Sequence, residues 1–153
     1  MSFIKKIFIP LIFSLSLCAD FQMQQNIFFT VEPFNHVGQI IGQSPVFYYT
    51  GKGASPSIVS TYSISTNGSN KKRCGFLDKN MPAGTHLFVN LTPPTGARTM
   101  GTQELSATPV DLVIELTQVS ETELPITYTF SADPSSGVIY GASRIVFFTF
   151  TDG

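Results

Sequence analysis

This sequence is short of charge, of histidine and of cysteine, and each shortage closes off a class of function. Charged residues are 12% of the 153, with nine basic against ten acidic side chains. Without a basic excess, and with no basic tract beyond Lys71-Lys72-Arg73, the electrostatic footprint of a nucleic-acid partner is missing. The two histidines, His36 and His86, exclude a three-histidine metal site, and neither stands at ligand spacing from Cys74, an aspartate or a glutamate. No metal and no cofactor are expected. There is also no nucleophile elbow, phosphate loop or serine-histidine-acid arrangement, and Gly51-Lys52-Gly53 reads as a flexible turn. Asp111 and Glu115 share one strand face, where paired acids ordinarily meet solvent. The expectation is a protein that is not an enzyme.

What is present begins with residues 1–19. Lys5 and Lys6 precede the apolar run Ile7 to Leu17, followed by Cys18, Ala19 and the polar Asp20, the layout of a secretory signal peptide. The run is too short to span a bilayer, which takes about 20 residues, so no transmembrane span is expected in the mature chain. Two endings compete. Ala19 is a small residue suited to cleavage, whereas Leu15-Ser16-Leu17-Cys18 resembles a lipoprotein box that departs from the pattern at Leu17. Cleavage after Ala19 removes Lys5 and Lys6 while all ten acidic residues stay, leaving a net charge of −3. It also removes Cys18, so Cys74 has no intrachain partner, and a hydrophobic core has to hold the exported domain together.

The remainder reads as β-structure. Residues 20–25 form a loose polar segment, and a single domain is expected over residues 26–153. Its first strand is expected at Asn26 to Glu32, ended by Pro33, with short turn-linked pieces from Phe34 to Pro56 around a strong β core at Val46-Phe47-Tyr48-Tyr49. Ile58, Tyr62 and Ile64 alternate with polar residues up to Asn67-Gly68-Ser69-Asn70, read as a hairpin turn, and a return strand runs from Lys71 through Leu77. In that strand Lys71-Lys72-Arg73 reads as a solvated basic cluster guarding a sheet edge. Leu87, Val89 and Leu91 mark the next strand, residues 98–108 a surface loop, and Val110, Leu112, Ile114 and Leu116 the apolar face of another. Ile126, Tyr128 and Phe130 follow, then a turn at Asp133 to Gly137, then Val138 to Thr151. Seven or eight short strands of this spacing predict an all-β, immunoglobulin-like β-sandwich.

The terminal strand is the densest β-forming run. Val146, Phe148 and Phe150 are expected to face the core, which puts Ile145 and Phe147 on the opposite face. An apolar pair on an outer face is a candidate interaction surface. Its cover is expected to be the segment from Phe21 to Phe29 or another protein molecule; alternatively, the strand is central and the loop from Phe34 to Pro56 buries it. Tyr48, Tyr49 and Tyr140 are candidate aromatics for a carbohydrate or small ligand. Asn67-Gly68-Ser69 and Asn90-Leu91-Thr92 match the glycosylation acceptor pattern, relevant only in a eukaryotic secretory route.

The run from Leu77 through Asp78-Lys79-Asn80-Met81-Pro82-Ala83-Gly84 to Leu91, with the ending Arg144 to Asp152, resembles small exported bacterial β-sandwich proteins that are distantly pilus-subunit-like. The resemblance covers Ser57 to Gly153. It implies a sandwich completed by a donated strand, with Ile27 to Val31 as donor. The cysteine pair of many pilins is absent here, and Ile145 and Phe147 replace the Thr-like residues expected on the outer face. The function expected is an exported structural or interaction protein of the periplasm, cell surface or extracellular space, with a protein partner or self-association; a carbohydrate-binding sandwich is the alternative. Intact mass of the exported protein is expected to show an N-terminus at Asp20, whereas an acylated Cys18 at the N-terminus would define a membrane-anchored lipoprotein instead.

Overall fold

The computed structural model describes residues 33, 35–41, 44–49 and 55–153. The chain divides into two compact units, Met1–Glu32 and Pro33–Gly153, and the architecture below is that of the second. The strand expected at Asn26 to Glu32 and the donor run Ile27 to Val31 lie outside the described residues.

The described residues form nine strands: β1 (Asn35–Ile41), β2 (Ser57–Thr66), β3 (Lys71–Leu77), β4 (Thr85–Leu91), β5 (Arg98–Thr99), β6 (Gln103–Glu104), β7 (Val110–Leu116), β8 (Val119–Ala132) and β9 (Val146–Asp152). They make two sheets, ordered β1-β2-β8-β4-β6 and β5-β7-β3-β9, with every pairing antiparallel. The period-two alternation decides which side chains meet between them. Tyr62 and Ile64 from β2, Leu87, Val89 and Leu91 from β4, and Ile126 and Tyr128 from β8 face Leu77, Leu112, Val113 and Leu116 of the other sheet, with Leu105 at the rim. The protein thus has a β-sandwich-like all-β fold.

The turn at residues 67–70 exists, but it is not a hairpin. β2 pairs with β1 and β8, while β3 pairs with β7 and β9, so the turn carries the chain from one sheet to the other. The left-handed residue in it is Asn70 (φ 48°), a residue type whose short polar side chain tolerates that conformation. A second crossing joins β7 to β8 through Thr117 and Gln118. The two crossings are tied together, Gln118 N–H donating to Gly68 O at 2.9 Å and Asn70 N–H to Thr117 Oγ1 at 2.9 Å.

Other expectations are corrected as well. Val46-Phe47-Tyr48-Tyr49 joins no ladder; Phe47 and Tyr49 instead lay their rings against Phe130, at 5.8 and 6.2 Å between centroids. Residues 98–108 contain β5 and β6 and the fully buried Leu105, so that stretch is not merely a surface loop. Residues 138–144 form no strand. In β7 the register against β3 shifts twice, and Glu115 takes φ 63°, so Val113 rather than Ile114 occupies the core. A bulge turns one extra residue of a strand past its partner, which strict alternation cannot anticipate. The close approach of β3 to its core neighbours needs Gly75, where an added Cβ would sit 2.7 Å from Leu112 Cδ1 and 3.3 Å from Leu105 Cδ2.

Candidate functional site

The basic cluster Lys71-Lys72-Arg73 does not guard an edge, because β3 lies between β7 and β9. Its three side chains meet different surroundings. Lys72 points outward and pairs with Asp111 (3.3 Å), and Lys71 forms an ion pair with Asp152 at the end of β9. Arg73 points between the sheets and is fully buried, at 0% exposure. Its guanidinium carbon lies 4.4 Å from the centroid of the Tyr62 ring in one sheet and 4.8 Å from that of Phe148 in the other. None of its three nitrogens has a hydrogen-bond partner among the described residues. Burial therefore pulls its pKa down to about 10, against the pull of the neighbouring Tyr62 and Tyr128 hydroxyls. Burial pushes both those phenols up to about 12, so they are neutral donors in the physiological range. The Tyr62 hydroxyl donates to Thr92 O at 2.5 Å.

On the outer face of the same sheet, Cys74 is buried and free. Its Sγ lies 3.1 Å from Asp111 Oδ1 and 3.4 Å from Thr151 Oγ1. Burial, with the Asp111 carboxylate adding to it, raises the thiol pKa, and the bond from Cys74 followed by Lys72 lowers that of Asp111. A protonated thiol donating to a carboxylate is a structural group, since the thiolate is the nucleophilic form. Asp111 and Glu115 do not act together: Glu115 accepts instead from Arg98 at 3.1 Å.

Beyond Cys74 the outer face turns apolar. Phe76 and Phe147 stack with centroids 5.2 Å apart, and Phe147 remains 42% and Ile145 60% exposed. Val146, Phe148 and Phe150 pack against the core, as expected, but all three stay only half-buried. The reason is position, since among the described residues β9 is the last strand of its sheet on that side. The exposure of Ile145 and Phe147 runs against a strand buried on both faces, and the segment from Phe21 to Phe29 and part of the loop from Phe34 to Pro56 lie outside the described residues. Near its end, Asn35, Lys71, Phe150, Thr151 and Asp152 line an open recess of about 190 Å³.

The candidate ligand aromatics are not gathered into a platform. Tyr48 and Tyr140 are 87% and 88% exposed, Tyr49 packs on Phe130, and no ring contact joins any two of the three among the described residues. His86 sits between two carboxylates, with Nδ1 2.6 Å from Glu104 and Nε2 3.4 Å from Asp133. Those bonds, Glu104 first, raise its pKa. Of His36 only the backbone is described. Among the described residues no group of three His, Cys, Asp or Glu side chains could hold a metal ion, and no helix is long and apolar enough to cross a membrane.

The geometry defines a two-sheet antiparallel β-protein, and among the described residues its most accessible features are the edge at β9 and the apolar outer face beside it. No family model matches this sequence, and comparison with curated proteins and with solved structures returns no similar protein. Sequence reasoning located the outer face through Ile145 and Phe147 but missed Arg73. The available signal was its odd-numbered register with Gly75 and Leu77, which places all three on one strand face.

Two outcomes are expected. Replacing Arg73 by methionine keeps the bulk between Tyr62 and Phe148 and removes an unpartnered buried cation, whose desolvation costs several kcal/mol against about 2 kcal/mol for each ring contact. Arg73→Met should therefore raise the unfolding free energy by about 1–4 kcal/mol in urea titrations, while Arg73→Ala, which opens a cavity, should lower it. The second concerns pH. Because His86 has a higher pKa folded than unfolded, its contribution to stability is complete below the ordinary histidine range and is lost as the pH rises through the raised value. Urea midpoints should fall across that window, and the fall should disappear in His86→Gln.

Proposed function

We propose that this chain is an exported, non-catalytic structural or interaction protein that works through β9 and the outer face beside it. Residues 1–19 carry the export signal, and the described sandwich is an immunoglobulin-like module. One observation supports the reading above the rest: Phe147 of β9 and Ile145 just before it are exposed to solvent at an edge that has no strand beside it among the described residues. Burying a large apolar side chain is worth roughly 1.5–3 kcal/mol, so two adjacent ones matter to an association. An open edge adds main-chain hydrogen bonds to that gain.

A second reading, a module that binds carbohydrate or another small ligand, is supported by the free exposure of Tyr48 and Tyr140. The double variant Ile145→Thr plus Phe147→Thr separates the two. Under the interaction reading it weakens self-association or partner binding and lowers the melting temperature by only a few degrees, because the monomer loses little beyond the Phe76–Phe147 stacking, about 0.5–1.5 kcal/mol, and the partial burial of Phe147. A large loss of monomer stability would overturn it. Specific sugar binding on a glycan array, abolished by Tyr48→Ala, would favour the second reading.

A further inference from the structure

Among the described residues the two sheets have four edges, and they are not equivalent. β5 and β6 are two residues long, and each is occupied by a charged side chain already paired across its sheet, Arg98 with Glu115 and Glu104 with His86. β1 carries a register shift between Val37 and Ile40. Short length, charge and irregularity are the usual ways of blunting an edge. β9 is far less blunted: it pairs with β3 over seven residues without a shift, holds no proline, and its one charged residue, Asp152, stands at its end.

The backbone of β9 has a definite polarity. Ile145 O accepts from Asp78 N–H and Gly153 N–H donates to Asn70 O, so the odd-numbered residues of the strand are bonded toward β3. In an antiparallel ladder successive residues alternate, so Val146, Phe148, Phe150 and Asp152 aim their N–H and C=O groups at the free edge. An added antiparallel strand must match that phase.

Taking as its basis the reading of β9 as the interaction surface, we infer that its partner is a second copy of this chain, paired β9 to β9 in antiparallel sense about Phe148. That register sets Phe148 opposite Phe148, Val146 opposite Phe150 and, at both ends, Arg144 opposite Asp152. The pairs of Val146, Phe148 and Phe150 match outward-bonding residues, and the two terminal pairs, made by Arg144 just before the strand, join opposite charges. Arg144 is placed for this role: its Nε and Nη1 donate to Asn80 O (2.8 Å) and Ser143 O (2.6 Å), and Nη2 has no partner among the described residues. Asp152 Oδ1 meets Lys71, and the side chain is otherwise open to solvent. On the outer face the same register sets Phe147 opposite Thr149 and Ile145 opposite Thr151, pairs that suit a strand surface. The arrangement is isologous, the contact of closed two-fold dimers, so it ends at two copies and does not propagate. It joins the two four-stranded sheets edge to edge.

The charge pattern supplies the test, made on protein expressed from the complete sequence and purified in its processed form. Sedimentation should show a concentration-dependent dimer for the wild type. Arg144→Asp and Asp152→Arg should each be monomeric at concentrations where the wild type is dimeric, with dimerisation weakened at least tenfold. An equimolar mixture of the two variants should recover the dimer, because each supplies the charges the other needs, and the double variant should recover it alone. Hydrogen exchange reads the same contact without mutation: the amides of Val146, Phe148 and Phe150 should become protected as the concentration rises, while those of Phe147 and Thr149 are protected throughout. A wild type that stays monomeric, or single variants that fail to complement, would overturn the second-copy assignment. Monomeric protein whose even-numbered β9 amides are protected at every concentration would overturn it too, leaving β9 as a surface occupied by this chain's own N-terminal segment. Even-numbered amides that exchange freely both in purified protein and in the native exported preparation would overturn the underlying interaction reading as well.

Discussion

The guanidinium of Arg73, stacked between Tyr62 of one sheet and Phe148 of the other, constrains the rest of the sandwich. A buried cation without hydrogen bonds is tolerated only where polarizable faces close on both sides of it. Tyr62 must therefore stay on the inner face of β2 with its hydroxyl held by Thr92 O, and β9 must stay in register so that Phe148 covers the other side. A one-residue slip of β9 would turn Phe148 outward and leave the cation against an opening between the sheets. The terminal strand is thus bound to its neighbour by more than its ladder.

That dependence explains how β9 can be an edge and yet be well placed. Its inner face is anchored by Arg73 and the core, its other backbone side has no strand beside it among the described residues, and Phe147 on its outer face is exposed. Strands β5 and β6 show the opposite solution, two residues each with charges spent on local pairs. Cys74 belongs to the anchored side. Held by Asp111 and Thr151 and kept protonated by burial, it ties β3 to both neighbouring strands without offering a reactive thiol.

How much of this was legible follows from which signals are local. Alternation alone placed Tyr62, Ile64, Leu87, Val89, Leu91, Ile126 and Tyr128 inside, because a strand's period of two is a property of its own backbone. It failed at Val113, where a bulge resets the phase, and at Asn67-Gly68-Ser69-Asn70, where turn chemistry is the same whether the chain returns to its own sheet or crosses to the other. The outward direction of Ile145 and Phe147 was readable in the same way, whereas the edge position of β9 was not, since strand order depends on partners distant in sequence. Arg73 was misread because a basic triplet suggests solvent, although in a strand neighbouring side chains cannot all share one face. Val46 to Tyr49 have strong β propensity and no ladder, a case of tertiary packing on Phe130 overriding local preference.

The crossing at residues 67–70 also shapes how the chain is assembled. By sending β3 into the opposite sheet from β2, it denies β3 any pairing with the strand that has just been made. The ladders of β3 wait for β7 and then for β9, whose Asp152 pairs back to Lys71. Closing so long a loop precedes any return in contacts, so the second sheet is intrinsically a late and slow structure. During synthesis β3 stays without its ladder neighbours until β7, and then β9, has been made.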